Sequence, residues 1–200
     1  MRGSLTILAF FAIGVCCGLT DWLPTAWAES DVSFLALCAL MFCVGLTIGA
    51  DSDILTKFRS LDRRMMLLPV LTILGTLGGS ALAALFLDHR SVTDCLAVGA
   101  GMGYYSLSSI FITQYLGAEL GTVALLSNIM REILTLLLAP VIARYLGRLA
   151  PISSAGATSA DTTLPVITAS CGQEYAVLAV YHGCLTDFSV PFLVTFFCSL

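Results

Sequence analysis

The 200-residue chain is strongly apolar, since 58% of its residues are hydrophobic, 11% are charged, and its mean hydropathy is +0.96. This composition excludes an ordinary soluble domain and predicts an integral membrane protein. A net charge of −4 without a basic patch argues against nucleic-acid binding. The eight cysteines stand mostly in apolar runs without metal-ligand spacing, so we interpret them as small buried hydrophobic residues and predict no metal site.

The first part of the chain contains three predicted membrane-spanning helices. They cover residues 5–22, 32–50 and 65–87. Trp22 and Trp27 flank the first helix as interfacial anchors. A cleavable signal peptide is the alternative for this helix, because Arg2 precedes the apolar run and Ala26-Trp27-Ala28 resembles a cleavage site.

The loop between the second and third predicted spans contains the densest basic cluster of the chain. Its basic residues are Lys57, Arg59, Arg63 and Arg64. Because cytoplasmic loops are enriched in Lys and Arg, this loop is predicted to be cytoplasmic, and the N-terminus with it. The short loop at residues 88–94 is then predicted to be outside.

Residues 95–116 form an apolar run that glycines interrupt. Gly101 and Gly103 precede a hydroxyl-rich stretch, and each glycine inside a helix costs about 1 kcal/mol relative to alanine. We therefore predict a broken segment that exposes backbone groups to a cavity; a tightly packed small-residue helix is the alternative. A full crossing would leave Arg144 and Arg148 outside, so we predict a hairpin that re-enters from the outer face.

The span predicted at residues 121–146 carries polar and charged side chains at bilayer depth. Asn128, Arg131, Glu132 and Thr135 fall on one helical face, which must contact protein or water rather than lipid. Ionisable residues in such positions usually mark a substrate or ion path. The alternative is a purely structural ion pair between Arg131 and Glu132.

Residues 151–172 are rich in Ser, Thr, Ala and Gly and contain one carboxylate, Asp161. The apolar run at residues 166–169 is too brief to cross a membrane. We predict a second broken segment that enters from the cytoplasm and brings Asp161 to the depth of Glu132. A solvated loop is the alternative, because these residue types are common in loops.

The last predicted span covers residues 174–199 and contains His182 within an apolar run. This histidine is interpreted either as a proton relay or as a hydrogen-bonding partner of a backbone carbonyl. The segments together predict an all-α polytopic membrane protein, with a single transmembrane domain at residues 1–200, about five spans and two broken or re-entrant hairpins. The C-terminus is predicted to be outside, and hairpins entering from opposite faces suggest an inverted repeat.

Six motifs make the chain similar to the LysO lysine-exporter family. They are Gly117-Ala118-Glu119-Leu120-Gly121, Asn128-Ile129-Met130-Arg131-Glu132-Ile133-Leu134, Pro151-Ile152-Ser153, Gly156-Ala157-Thr158, Asp161-Thr162-Thr163-Leu164-Pro165 and Phe196-Phe197-Cys198-Ser199-Leu200. The resemblance implies export of L-lysine, and of analogues such as thialysine, across the cytoplasmic (inner) membrane of a bacterium. It also implies an essential, solvent-reachable acidic pair, and the matching positions are Glu132 and Asp161.

The resemblance also bears on partners, because typical family members are longer at the N-terminus. In some bacteria the family occurs as two adjacent polypeptides, of which this chain resembles the larger. The resemblance therefore implies a small membrane-protein partner of roughly three spans, or a homodimer that fills the same place.

A lysine site needs anionic side chains for the ammonium groups and backbone donors for the carboxylate. The candidate substrate and proton ligands are Glu132, Asp161, Arg131 and Asn128, with Arg131 as a modulator or resting counter-ion, and His182 as a candidate proton relay. The candidate cavity-lining residues are Gly101, Gly103, Tyr104, Ser106, Ser153, Gly156, Thr158 and Thr162. Two close carboxylates share a proton readily, so we predict lysine/proton antiport without a cofactor other than H⁺.

Three other functions are alternatives to lysine export. An intramembrane enzyme would use Ser106, His182 and Asp161, but no catalytic motif surrounds them, so we predict that the chain is not an enzyme. A passive amino-acid or cation channel would use the same broken helices and acidic constriction. The third alternative is a subunit of a split transporter whose partner completes the site.

Overall fold

The computed structural model describes residues 64–87 and 90–200, together with five isolated positions nearer the N-terminus. By its contacts the chain divides into two compact units, Met1–Arg59 and Ser60–Leu200. In the first unit, Ile13, Cys16 and Cys17 are helical. The spans predicted at 5–22 and 32–50 otherwise lie outside the described residues.

The second unit is built from helices, and its described residues contain no strand, which confirms the prediction of an all-α membrane protein. A 3₁₀ helix (Met65–Leu67) leads into the first α-helix, and two further 3₁₀ helices lie at Gly156–Ala160 and Gln173–Tyr175. The α-helices are α1 (Leu68–Ala84), α2 (Val92–Gly99), α3 (Tyr105–Leu116), α4 (Ala118–Leu146), α5 (Ala150–Ala155), α6 (Leu164–Cys171) and α7 (Ala176–Cys198).

Three helical stretches in the described part of the chain are long and apolar enough to cross a membrane. They are Met65–Ala84, Ala118–Leu146 and Gln173–Cys198. α4 begins after Gly117 and ends before Gly147, whose φ angles of 96° and 94° strongly favour glycine. Large apolar side chains point away from the core on all three, as Phe188, Phe192 and Phe196 do along one face of α7. A lipid environment accounts for this exposure.

α2 and α3 form the first hairpin (residues 92–116). α2 begins at a capping box, in which the Asp94 N–H donates to the Ser91 hydroxyl at 3.0 Å and the Ser91 N–H donates to the Asp94 carboxylate at 3.4 Å. Its eight residues extend only about 12 Å, too little to cross a bilayer. The ion pair between Arg90 and Glu119 then brings both ends of the hairpin to the N-terminal end of α4.

α5, the following 3₁₀ helix and α6 form the second hairpin (residues 150–171). It ends at Gly172, whose φ of 114° turns the chain toward α7. An ion pair between Arg148 and Glu174, 3.2 Å apart, holds its two ends together at the C-terminal end of α4. The two hairpins therefore approach the middle of α4 from opposite ends.

The apolar core lies between α2, α3, α4 and α7. It consists of Ala97, Ala100, Met102, Ile112, Leu120, Ala124, Val190, Val194 and Cys198. Gly183 of α7 lets the second hairpin approach closely, since a Cβ there would lie 2.5 Å from the backbone nitrogen of Ala160. Small residues thus allow backbone to pack on backbone at the centre of the unit.

Candidate functional site

The two hairpins are both interrupted, and their interruptions meet. The first break (residues 100–104) contains Met102 and Gly103, with φ angles of 44° and 97°. The second break (residues 156–163) begins at Gly156, with a φ of 66°. The N–H of Ala157 donates to the carbonyl of Met102 at 2.9 Å, and a Cβ on Gly156 would overlap that same carbonyl. Glycine is therefore required where the two backbones cross.

Asn128 of α4 supports the first break. Its Oδ1 accepts the N–H of Gly103 at 2.7 Å, and its Nδ2 donates to the carbonyls of Ala124 at 2.9 Å and Val98 at 3.4 Å. A Cβ on Gly101 would collide with this amide, so the glycine makes room for it. The buried amide thus accepts from the Gly103 N–H, which the break removes from helical hydrogen bonding.

Arg131, one turn further along α4, supports the second hairpin. Its Nε donates to the carbonyl of Ser154 at 2.8 Å and its Nη2 to the carbonyl of Ser153 at 2.9 Å. Its Nη1 lies 3.4 Å from the hydroxyl of Thr76 on α1. The guanidinium therefore binds the last carbonyls of α5, and neither ion pair found among the described residues includes it. The alternative interpretation, a structural ion pair of Arg131 with Glu132, is not found among the described residues.

Glu132 lies on a neighbouring face of α4, where its carboxyl group is near the Thr162 hydroxyl and within electrostatic reach of Asp161. Asp161 belongs to the second break, and its Oδ1 accepts from the N–H of Thr162 and, at 3.3 Å, from the Thr162 hydroxyl. Tyr105, at the start of α3, is within electrostatic reach of both carboxylates. The structure thus brings together the two acids that the sequence singled out.

Asp187 is a further acid in this region and was not among the predicted site residues. It lies on α7 one turn beyond Gly183, within electrostatic reach of Asp161 and Tyr104. One signal could have revealed it, because it is the only carboxylate within the last predicted span after Glu174. An ionisable residue inside a span is a functional candidate by default.

His182 is fully buried, and both of its ring nitrogens contact hydroxyls. Nδ1 lies 3.0 Å from Ser159 Oγ, and Nε2 lies 2.9 Å from Thr72 Oγ1. The Thr72 hydroxyl donates in turn to Ser153 Oγ at 2.9 Å. Because the Thr72 hydroxyl donates to Ser153, it accepts from the Nε2 N–H of His182, while the Ser159 hydroxyl also donates to the carbonyls of Gly156 at 2.8 Å and Ala179 at 2.9 Å. These hydrogen bonds connect α1, α7 and the second hairpin.

The remaining predicted lining residues have different environments. Tyr104 caps α3 and is half-buried, whereas Ser106 is exposed. The Thr158 hydroxyl is buried and donates to the carbonyl of Ala155 at 3.0 Å, so it stabilises the break. Ser153 contributes its carbonyl to Arg131, as described above.

In the described part of the chain, cavities adjoin both hairpins. One, of about 420 Å³ between α1, α4 and α5, includes hydroxyls of Thr72, Thr76, Ser153 and Ser154 in its lining. The other, of about 250 Å³ between α1, α2 and α4, is mainly apolar and is lined in part by Arg90. Neither is lined by the two predicted acids. Within the described residues, no group of three His, Cys, Asp or Glu side chains could hold a metal ion.

Comparison with known proteins places this sequence in a family. The sequence profile of the family described as "Lysine exporter LysO" matches residues 8–198. The chain is 31% identical to "Lysine exporter LysO" of Escherichia coli (strain K12) over 194 residues, covering 97% of this chain and 64% of that relative. It is 32% identical to the "Putative lysine exporter" of Haemophilus influenzae over 195 residues, covering 96% of this chain and 97% of that relative.

No solved structure matches the chain. The family profile nevertheless spans nearly the whole sequence, and the relative from Haemophilus influenzae is matched along almost its full length. The chain therefore belongs to the lysine exporter LysO family.

Proposed function

We propose that this chain is a secondary transporter that exports L-lysine from the bacterial cytoplasm in exchange for protons, with Glu132 and Asp161 binding the transported cation. One observation carries the proposal: these acids come from α4 and from the second break, and they lie within electrostatic reach of each other beside the crossing of the two hairpins. Interrupted helices that meet near mid-membrane are the usual construction of a transporter site.

The names of the relatives support the substrate. Proteins from Escherichia coli and Haemophilus influenzae that share about a third of their residues with this chain are named as lysine exporters, the second putatively. A lysine ammonium group requires an anionic partner in a poorly solvated site, and the two carboxylates supply it. Thialysine has the same two ammonium groups and carboxylate, so it is proposed as a second substrate.

The antiport mechanism follows from competition at the acidic pair. With lysine bound, its ammonium group offsets one of the two carboxylate charges; after lysine leaves outward, a proton binds one carboxylate in its place, and the site returns inward with the same net charge. The lysine carboxylate would accept hydrogen bonds from the first N–H groups of α3, near Tyr105 and Ser106, which have no partner within the helix. Because binding of either cation excludes the other, lysine and protons move in opposite directions.

The orientation is part of the proposal. The first hairpin would re-enter from the outer face and the second from the cytoplasm, leaving Arg144 and Arg148 in the cytoplasm, the N-terminus inside and the C-terminus outside. The chain would then reside in the inner membrane, in contact with lipid along its exposed apolar faces.

The proposal includes a companion protein. The chain covers 64% of the Escherichia coli relative, so 36% of that relative has no counterpart here. We propose that a small membrane protein, or a second copy of this chain, supplies the corresponding spans. The test is to reconstitute the chain alone and with co-purified membrane proteins. Full lysine transport by the isolated monomer would exclude a required companion.

The test of function is lysine counter-flow in membrane vesicles, with and without a pH gradient. Vesicles that contain the wild-type protein should accumulate labelled lysine against its gradient when the pH gradient drives exchange. Vesicles that contain the Glu132→Gln or Asp161→Asn variant should lose this uptake. Glu132→Asp and Asp161→Glu keep the charge and serve as matched controls. Undiminished transport by both neutral variants would refute the proposed site, and lysine flux that ignores the pH gradient would indicate a channel.

A further inference from the structure

The open end of the first hairpin is closed by charged side chains at defined positions. Arg90 stands two residues before α2 begins at Val92. α3 ends at Gly117, whose φ is 96°, and Glu119 follows two residues later. The Arg90 guanidinium contacts the Glu119 carboxylate and so joins the chain entering the hairpin to the chain leaving it.

The second hairpin repeats this order of features. Arg148 stands two residues before α5 begins at Ala150. α6 ends at Gly172, whose φ is 114°, and Glu174 follows two residues later. Arg148 Nη1 lies 3.2 Å from Glu174 Oε1. The same residue types, in the same order and at the same offsets, thus close both hairpins.

The two ion pairs lie at opposite ends of one long helix. The first hairpin opens at the N-terminal end of α4 and the second at its C-terminal end, and the 29 residues of α4 extend roughly 43 Å. This is about the full thickness of a membrane, including its headgroups. The closed tips of the hairpins meet between these ends, where Ala157 donates to Met102.

We propose that the Arg90–Glu119 and Arg148–Glu174 pairs are the two gate contacts of one transport cycle, one for each membrane face. This inference rests on the proposed function. In an inverted repeat the two halves exchange conformations, so equivalent contacts open alternately. Both pairs are partly or largely exposed, and exposed ion pairs are weak enough to open readily. Opening one pair frees the hairpin behind it while the other pair keeps the opposite hairpin closed.

Cross-linking tests whether each pair must open. Arg90→Cys/Glu119→Cys and Arg148→Cys/Glu174→Cys are treated with a short bifunctional thiol reagent that reduction cleaves, in vesicles that hold the full chain and any companion. We expect either cross-link to lower lysine efflux about tenfold or more, and reduction to restore it. The four variants that carry only one of these added cysteines receive the same reagent and control for the eight native cysteines. Each should move lysine at the same rate before and after the treatment. Efflux that survives complete cross-linking at either pair would overturn the proposal.

Hydrogen exchange tests the same contacts without transport. Arg90→Glu should speed amide exchange in residues 92–99 and leave residues 150–155 unchanged, whereas Arg148→Glu should do the reverse. The double reversal Arg90→Glu/Glu119→Arg should restore slow exchange. Equal acceleration of both hairpins, or no restoration, would overturn the gates. If the wild-type chain moves no lysine, the proposed function fails while this measurement still decides the role of the ion pairs.

Discussion

The N–H of Ala157 donates to the carbonyl oxygen of Met102 at 2.9 Å, which joins the backbones of the two interrupted hairpins directly. Met102 lies in the break after α2 and Ala157 lies in the first turn of the 3₁₀ helix Gly156–Ala160, so each group would lack a helical partner without this bond. If the tip of one hairpin moves during transport, the tip of the other hairpin must move with it, or this hydrogen bond must break.

Gly156→Ala should disrupt the crossing. A Cβ at this position would overlap the Met102 carbonyl, and the backbone there has φ 66° and ψ −128°, a conformation that side chains disfavour. We expect the free energy of unfolding to fall by about 1–3 kcal/mol from strain, and by more from the overlap. Thermal unfolding of the detergent-solubilised protein measures the change.

Gly147→Ala is the matched control. Gly147 also has a positive φ, 94°, but no described atom lies within 4 Å of a Cβ built on it. Its substitution carries the cost of strain without the overlap, so it should be milder. Equal losses of stability in the two variants would show that the contact with Met102 contributes nothing.

The sequence predicted both interruptions because glycines and hydroxyl residues divide apolar runs at Gly101 to Gly103 and at Gly156. It could not predict that the interruptions touch, since hydrophobic periodicity reports which face of a helix is apolar and carries no information about partners distant in sequence. The same limit applies to Arg131, whose charge marked it as important while its backbone partners became visible only in three dimensions. The predicted boundary differs by three residues at the start of α4, which begins at Ala118 and was predicted to begin at residue 121.

Arg131→Lys separates a structural role of Arg131 from a purely electrostatic one. A lysine side chain keeps the positive charge but lacks the planar guanidinium, whose N–H groups donate to the carbonyls of Ser153 and Ser154 at the same time. We expect the free energy of unfolding to fall by about 1–3 kcal/mol, because two half-buried carbonyls lose a charged donor. Arg144→Lys on the same helix is the control, since Arg144 is exposed beside Tyr145. If both variants unfold at the same temperature, Arg131 acts through its charge alone.

His182→Gln tests whether the buried histidine relays protons. Both ring nitrogens are engaged by hydroxyls, and no carboxylate contacts them among the described hydrogen bonds. A glutamine side chain can also donate and accept hydrogen bonds. We therefore expect the variant to transport lysine within about twofold of the wild-type rate and with the same pH profile.

His182→Leu is the companion variant. It leaves the hydroxyls of Thr72 and Ser159 without their imidazole partner, so the free energy of unfolding should fall by about 1–3 kcal/mol. A structural role thus predicts that Leu lowers stability and Gln does not. Loss of the pH dependence of transport in the glutamine variant would instead establish a relay.

Asp187→Asn tests whether the third carboxylate contributes to the site. Lysine carries two ammonium groups, and Glu132 with Asp161 accounts for one of them, whereas Asp187 lies within electrostatic reach of Asp161 from the α7 side. We expect the KM for lysine to rise about tenfold, equivalent to about 1.4 kcal/mol, with a smaller change in kcat. Asp187→Glu keeps the charge and should retain most of the affinity. Ser189→Ala, on the same helix, controls for local disturbance of α7, since its hydroxyl only donates to the Thr186 carbonyl. An unchanged KM in Asp187→Asn would confine substrate binding to the other two acids.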